Sequence, residues 1–206
     1  MERLKARHEI DKKKGVRQLL HCAIRMYFSF EDQYAIHLIV RSASRVIKNL
    51  AKADGRKLMY DDEQFVRPER ISEYRNIMNQ LENYLKHADN DPKDKLPIFE
   101  IGKLNTLLLW KASLMYAEQF HEKTTHIQLF KVVASVLLHE YISNLELKKL
   151  AMTMFYEYDG RRLDAYLRDM YSAFALANVE LEKERDEDLQ DATYFFQQNI
   201  STFKKA

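Results

Sequence analysis

Glycine and proline are scarce in this 206-residue chain, which contains four of the first and three of the second. An average protein draws about 12% of its residues from these two types, and they supply many of its tight turns. An all-β sandwich or barrel needs frequent turns, so that fold class is excluded in practice. The scarcity favours long helices, and the length suits one domain covering residues 1–206.

Cysteine is also rare, and excess charge and long apolar runs are missing. A single cysteine excludes an intramolecular disulfide framework and fits a reducing compartment. The formal net charge of +2 is too small to indicate nucleic-acid or membrane binding by bulk electrostatics. The first 15 residues lack the apolar segment of a secretory signal, and polar residues interrupt every apolar stretch. We therefore expect a cytoplasmic protein that has no membrane partner.

The few turn residues divide the chain into segments whose apolar residues recur at helical spacing. Gly55 follows the second segment, where a left-handed residue often ends a helix, and Asp32 is placed to cap its beginning. The pattern predicts an all-α fold, a single bundle of about six to eight helices with antiparallel neighbours, in which residues 145–206 form a C-terminal helical extension. The first five predicted helices cover Arg17 to Phe30, Asp32 to about Asp54, Pro68 to about Ala88, Gly102 to about His121, and Thr125 to about Ser143.

Common catalytic motifs are absent. A di-iron carboxylate bundle needs two Glu-x-x-His pairs, and only Glu118 with His121 has that spacing. Cys22 lies at the edge of a buried helical stripe, which is typical of a packing residue rather than a nucleophile. Four scattered glycines cannot form a phosphate-binding loop. We therefore predict no metal and no cofactor.

Two rows of polar residues remain as candidates for a site. On the second helix, His37 and Arg41 lie four residues apart beside the apolar stripe, and Ser44 and Lys48 extend the same line. On the third helix, a row of amides ends in a histidine near the helix terminus, where it could bind a phosphate and act as a general acid or base. The alternative for this row is an ordinary solvated face whose histidine complements the helix dipole. The row and its continuation consist of Asn76, Gln80, Asn83, His87 and Asp89.

The stretch from Glu82 to Asp89, ENYLKHAD, resembles the motif region of HEPN domains. These are small all-α bundles of toxin–antitoxin, phage-defence and RNA-processing systems. Their signature is an arginine, often followed by a polar residue, and then a histidine four to six residues later. Asn83 and His87 match the polar residue and the histidine, whereas Glu82 stands where the family has arginine. With the paired helices from Arg17 to Gly55, the stretch is also similar to a group of uncharacterised bacterial HEPN-like proteins, which implies a HEPN-like core over residues 16–144.

In the ribonuclease members of that family, the arginine and histidine act on the scissile phosphate, usually in a site shared across a dimer. The resemblance thus implies a homodimer that binds RNA or a nucleotide and is an atypical or inactive ribonuclease, because a glutamate at the arginine position would repel the phosphate. His87 would be the acid or base and Asn83 a phosphate contact. Lys86, Arg41, His37 and Asp89 would complete the binding site, with Lys86 or Arg41 in place of the missing arginine.

A different class of function is also compatible with the sequence. The chain contains 12 tyrosines, 11 phenylalanines and 8 methionines. Tyrosine, phenylalanine and methionine are enriched at protein interfaces. The alternative hypothesis is therefore a helical scaffold that binds a protein partner and catalyses nothing.

Overall fold

A computed structural model of the chain describes residues 10–61, 68–86, 95–96 and 101–138. The helices of these residues are α1 (Lys12–Phe28), α2 (Gln33–Ala53), α3 (Ile71–Lys86), α4 (Ile101–Phe120) and α5 (Thr125–Leu137), and a 3-10 turn, Pro68–Arg70, leads into α3. The described ranges contain no strand, so the predicted all-α class is confirmed for them. The predicted extension over residues 145–206 lies outside these ranges.

The two ends of α2 have the predicted caps. The Asp32 carboxylate accepts a hydrogen bond from the backbone N–H of Ala35 at 2.8 Å. At the other end Gly55 has a φ of +68°, and the backbone N–H of Arg56 reaches the carbonyl of Ala51 at 2.8 Å. This closing pattern needs a left-handed residue, which glycine adopts without steric cost.

The same closing pattern ends α1, but there the left-handed residue is Phe30, with a φ of 56°. Ser29, Phe30, Glu31 and Asp32 are the only residues between the two helices, so α1 and α2 are antiparallel neighbours, as predicted. The left-handed phenylalanine was not expected, because bulky side chains rarely adopt this conformation.

The core of the described residues lies between α1, α2, α4 and α5, and α2 packs chiefly against α4 and α1. In α1 and α2 its side chains come from the apolar stripes that the helical spacing predicts. The largest of the fully buried apolar side chains are Tyr116, Phe130, Leu20, Ile24, Ile36, Ile47, Leu109, Met115, Ile127 and Leu129.

Helix α3 departs from its sequence pattern at its C-terminal end. Met78 and Leu81 are buried, as the apolar spacing predicts, but Leu85 is 47% exposed. The buried residue of that turn is Glu82, which is 3% exposed. The α2 side chain that reaches this part of α3 is Arg45, and its guanidinium pairs with the Glu82 carboxylate. An ion pair therefore replaces the expected apolar contact.

Candidate functional site

The structure separates the predicted site residues into two groups. His37 and Arg41 lie on the part of α2 that faces α3 and α4. Asn83 is exposed on α3, and Lys86 is the last residue of that helix. His87, Asp89 and the side chain of Lys86 lie outside the described residues, so the proposed approach of Arg41 to His87 stays a prediction.

His37 is a buried and neutral group. Its Nδ1 lies 3.0 Å from Oδ1 of Asn105, and the Asn105 amide donates to the carbonyl and side-chain oxygens of Gln33 at 2.7 and 3.1 Å. Because that amide is the donor to Gln33, Oδ1 must accept, and Nδ1 of His37 carries the proton. Burial lowers the pKa of His37, and the bond with Asn105 offsets part of this shift, so the ring is uncharged at neutral pH. His37 thus supports the α2–α4 contact rather than offering a charge to a ligand.

A groove with a volume of about 250 Å³ lies between α2 and α3. Arginine and lysine side chains from both helices line it together with neutral polar groups and few apolar ones. We call it the cationic groove. Its lining residues are Arg41, Ser44, Arg45, Lys48, Asn49, Ile71, Tyr74, Arg75, Met78 and Asn79.

Positive charge predominates in and behind the cationic groove. Four of its lining residues are cationic, and Lys111 of α4 stands behind its wall, with Nζ 3.3 Å from the Tyr74 hydroxyl oxygen. Two carboxylates pair with these cations: Glu82 lies 2.6 Å from Arg45, and Asp61 lies 2.7 Å from Lys48. Five cations of the described residues thus come together here, with the carboxylates of Glu82 and Asp61 beside them.

Two neutral polar side chains that line the cationic groove, Asn79 and Tyr74, accept hydrogen bonds from nearby cations. The Arg41 guanidinium donates through Nη2 to Oδ1 of Asn79. The Lys111 ammonium donates to the Tyr74 hydroxyl and lies 5.8 Å from the centre of that ring. Burial raises the pKa of Tyr74 to about 12, so the phenol keeps its proton.

Lys111 is the most strongly perturbed of these cations. Burial lowers the pKa of its amine to about 8, and repulsion by Lys48 and Arg41 acts in the same direction, while Asp61 acts against it. At neutral pH the amine is mostly protonated. A charged amine is thus kept in a partly buried place beside two other cations.

Glu82 has a partner that the sequence did not predict. Glu82, which stands where the HEPN motif that this stretch resembles has arginine, is buried and pairs with Arg45 of α2. Among the described residues, Arg41 and Arg45 bring two cations to this part of the chain from α2, one and two turns after His37. A ligand in the cationic groove meets Arg41 and Arg45 rather than an uncompensated carboxylate.

Sequence reasoning pointed to part of the residues that line the cationic groove. Arg41, Ser44 and Lys48 belong to the predicted polar line of α2. Arg45 was not included, although it continues the spacing of His37 and Arg41, and this was a usable signal. Tyr74 has the spacing of a core residue, and Lys111 directly follows an apolar run, so the sequence did not mark either one as a candidate site residue. The contact between Tyr74 and Lys111 depends on how α3 and α4 pack against α2.

The described residues contain no cluster of three or more His, Cys, Asp or Glu side chains of the kind that binds a metal ion. Two further histidines of these residues, His21 and His126, stack in the core with ring centres 4.3 Å apart, and Thr124 Oγ1 lies 2.8 Å from His21 Nε2. Within the same ranges, every helix is too short or too polar to cross a bilayer.

Comparison with protein-family models, curated proteins and solved structures finds no match to this chain.

Proposed function

We propose that this protein is a HEPN-like helical protein that binds RNA or a nucleotide through phosphate contacts in the cationic groove. The observation that carries the proposal is the grouping of five cationic side chains in and behind one groove, in a chain whose total net charge is only +2. Clustered arginine and lysine side chains bind phosphate by charge-assisted hydrogen bonds.

Four amino acids that can donate to phosphate accompany the cations: Ser44, Asn49, Tyr74 and Asn79. Phosphate oxygens accept hydrogen bonds from such hydroxyl and amide groups as well as from Arg and Lys. Arg45 also compensates Glu82, which removes the main electrostatic objection to phosphate binding near the HEPN-like motif. The groove therefore suits an anionic ligand better than an apolar one.

A binding assay with matched variants tests this proposal. The groove variant Lys48→Gln/Arg75→Gln removes one ion-paired and one exposed cation from the cationic groove. The control variant Lys52→Gln/Arg70→Gln removes an exposed cation and one paired with Glu73, neither of which lines the groove. Both variants change the net charge equally.

Fluorescence anisotropy with a labelled single-stranded RNA is the readout. We expect the groove variant to lose about tenfold or more in affinity and to have a shallower salt dependence, because two phosphate contacts are lost. The control variant should bind like the wild type. Equal losses in both variants would contradict the proposal, since they would show an effect of net charge alone.

The proposal includes an atypical or inactive ribonuclease that works as a cytoplasmic homodimer, as the HEPN resemblance implies. An active and an inactive ribonuclease are distinguished by incubating the protein and its His87→Ala variant with mixed RNA in the presence of a chelator. Cleavage that only the variant loses would indicate a metal-independent nuclease. Binding without cleavage would indicate an inactive member, and cleavage by both would contradict a catalytic role for His87.

A second candidate, a scaffold that binds a protein partner, is favoured by the turn between α1 and α2. Phe30 and Tyr34 expose 44% and 47% of their surface there. Aromatic side chains of this kind often anchor protein contacts. The test is to compare the wild type with a Phe30→Ser/Tyr34→Ser variant in capturing a protein partner from the source cells. A partner captured by the wild type alone would support this candidate. Equal capture by both would contradict it.

A further inference from the structure

The hydroxyl of Tyr74 has a hydrogen-bonding direction that a neighbouring cation fixes. An ammonium group has only donors, so in its contact with Lys111 Nζ, at 3.3 Å, the phenol oxygen is the acceptor. Burial raises the pKa of Tyr74 to about 12, so the phenol keeps its proton at neutral pH. Because Tyr74 lines the cationic groove, the group that it offers to a ligand there is the O–H donor.

The amide of Asn79 has a fixed direction for the same reason. A guanidinium also has only donors, so Oδ1 of Asn79 accepts from Arg41, and the amide N–H groups stay on the other side. Flipping the amide would place these donors against the guanidinium. Asn79 is partly exposed and lines the cationic groove, so its N–H groups are the part that a ligand meets.

Such fixed donors discriminate between the parts of a nucleotide. Phosphate oxygens only accept hydrogen bonds. The hydrogen-bonding edge of every base carries at least one donor beside its acceptors, so a base would turn N–H groups toward the donors of Tyr74 and Asn79. The cations of the groove are donors as well, and Ser44 and Asn49 can donate. The lining therefore matches a phosphate better than a base.

We propose that Tyr74 and Asn79 determine the specificity of the cationic groove, which binds a phosphate group of an RNA or a mononucleotide and leaves the base outside, so that affinity is independent of base identity. This inference rests on the proposed function and names the part of the ligand that is recognised. The volume of about 250 Å³ agrees with it, because whole small-molecule ligands usually need roughly 300–1,000 Å³.

Lys111 acts through Tyr74 as a positioning residue, and its protonation provides a readout of that role. A neutral amine can accept the Tyr74 proton, which would withdraw the O–H donor from the groove. Burial above all lowers the pKa of Lys111 to about 8. The charged groups that act on this amine are Lys48 and Arg41, which favour loss of the proton, and Asp61, which opposes it. Affinity for phosphate should therefore fall between pH 7 and pH 9.

The test measures the binding of labelled oligo(U), oligo(A) and oligo(C) RNAs of equal length by fluorescence anisotropy at pH 7, with AMP and UMP as competitors. We expect the three RNAs to bind within about threefold of one another and the two nucleotides to compete equally. Tyr74→Phe and Asn79→Ala should each weaken every RNA by about tenfold, since each removes donors to a charged group. Tyr84→Phe, on the same helix but outside the groove lining, should bind like the wild type.

A second series at pH 9 tests the role of Lys111. The wild type should lose affinity between pH 7 and pH 9 by a larger factor than Tyr74→Phe, because the variant has no hydroxyl for Lys111 to withdraw. Equal factors in both proteins would overturn the positioning role of Lys111.

The outcomes separate this inference from the function on which it rests. A tenfold preference for one of the RNAs, or unchanged binding by both Tyr74→Phe and Asn79→Ala, would overturn the inference and leave RNA binding in place. Equal binding of AMP and UMP without binding of any RNA would support it with a mononucleotide as the source of the phosphate. Failure of every RNA and both nucleotides to bind would overturn the proposed function itself.

Discussion

Replacing Lys111 by methionine should stabilise the protein at neutral pH. The substitution keeps the length of the side chain and its packing on α4 but removes a charge that the fold accommodates poorly. The pKa of the amine falls from 10.5 to about 8 on folding, with burial as the main cause and repulsion by Lys48 second. One pKa unit corresponds to about 1.4 kcal/mol, so the upper limit of the cost is about 3 kcal/mol.

Two effects make the stability gained by Lys111→Met smaller than this upper limit. The amine is only partly buried, and it donates a hydrogen bond to Tyr74 that methionine cannot replace. We therefore expect a net gain of about 1–2 kcal/mol in the free energy of unfolding at pH 7. A functional residue that costs stability is common at binding sites, and the same variant should bind RNA more weakly.

The sign of the pH dependence makes this prediction specific. Between pH 8 and pH 10.5 the unfolded chain keeps the Lys111 proton while the folded chain has lost it. The free energy of unfolding of the wild type therefore rises with pH in this window, relative to the variant. Urea unfolding at pH 7.0 and pH 9.5 measures the difference. We expect the advantage of Lys111→Met to shrink markedly at the higher pH.

The matched control is Lys52→Met, which makes the same change at an exposed position on α2. It should change stability by less than about 0.5 kcal/mol at either pH. Two results would refute the claim that the charge of Lys111 destabilises the folded protein. One is a Lys111→Met variant that is less stable than the wild type at pH 7. The other is a gain in stability that is the same at both pH values.

Two further predictions concern the contacts of α2. Arg45→Met should cost about 1–2 kcal/mol, because it removes the guanidinium that pairs with the nearly buried Glu82 carboxylate, and adding Glu82→Gln should recover most of the loss in chemical denaturation; additive effects would show that the pair is not coupled. Because burial lowers the pKa of His37 below the 6.5 of the unfolded chain, stability should fall as the pH drops below 6.5. His37→Gln should flatten this fall between pH 7 and pH 5, and an unchanged slope would contradict the assignment of a buried neutral ring.

The parts of the fold that depend on local sequence could be predicted, and those that depend on helix packing could not. Asp32 and Gly55 mark the ends of α2 because capping involves only neighbouring residues, and the apolar stripes of α1 and α2 follow from helical spacing. The end of α3 could not be predicted, because an α2 arginine rather than an apolar side chain meets it there. The left-handed backbone conformation of Phe30 could not be predicted either, because bulky side chains rarely adopt it.

The candidate site was predictable only in part and for the same reason. Arg41 and its helical neighbours Arg45 and Lys48 stand on one side of α2, so their shared face can be seen in the sequence. That Tyr74 turns toward Lys111 depends on the approach of α3 to α4, which spacing does not encode. The HEPN resemblance directed attention to the end of α3, whereas the charges that the structure brings together lie along α2 and the earlier turns of α3.

Mapping the ligand by two-dimensional NMR tests the central claim most directly. The protein, labelled with ¹⁵N, would be titrated with 5′-phosphorylated RNA while its backbone amide and arginine Nε signals are followed. The account predicts that the largest shifts cluster on residues 41–49 and 74–79 and include the Nε signal of Arg41. Shifts that cluster around Phe30 and Tyr34 instead, with residues 41–49 unaffected, would contradict a phosphate site in the cationic groove.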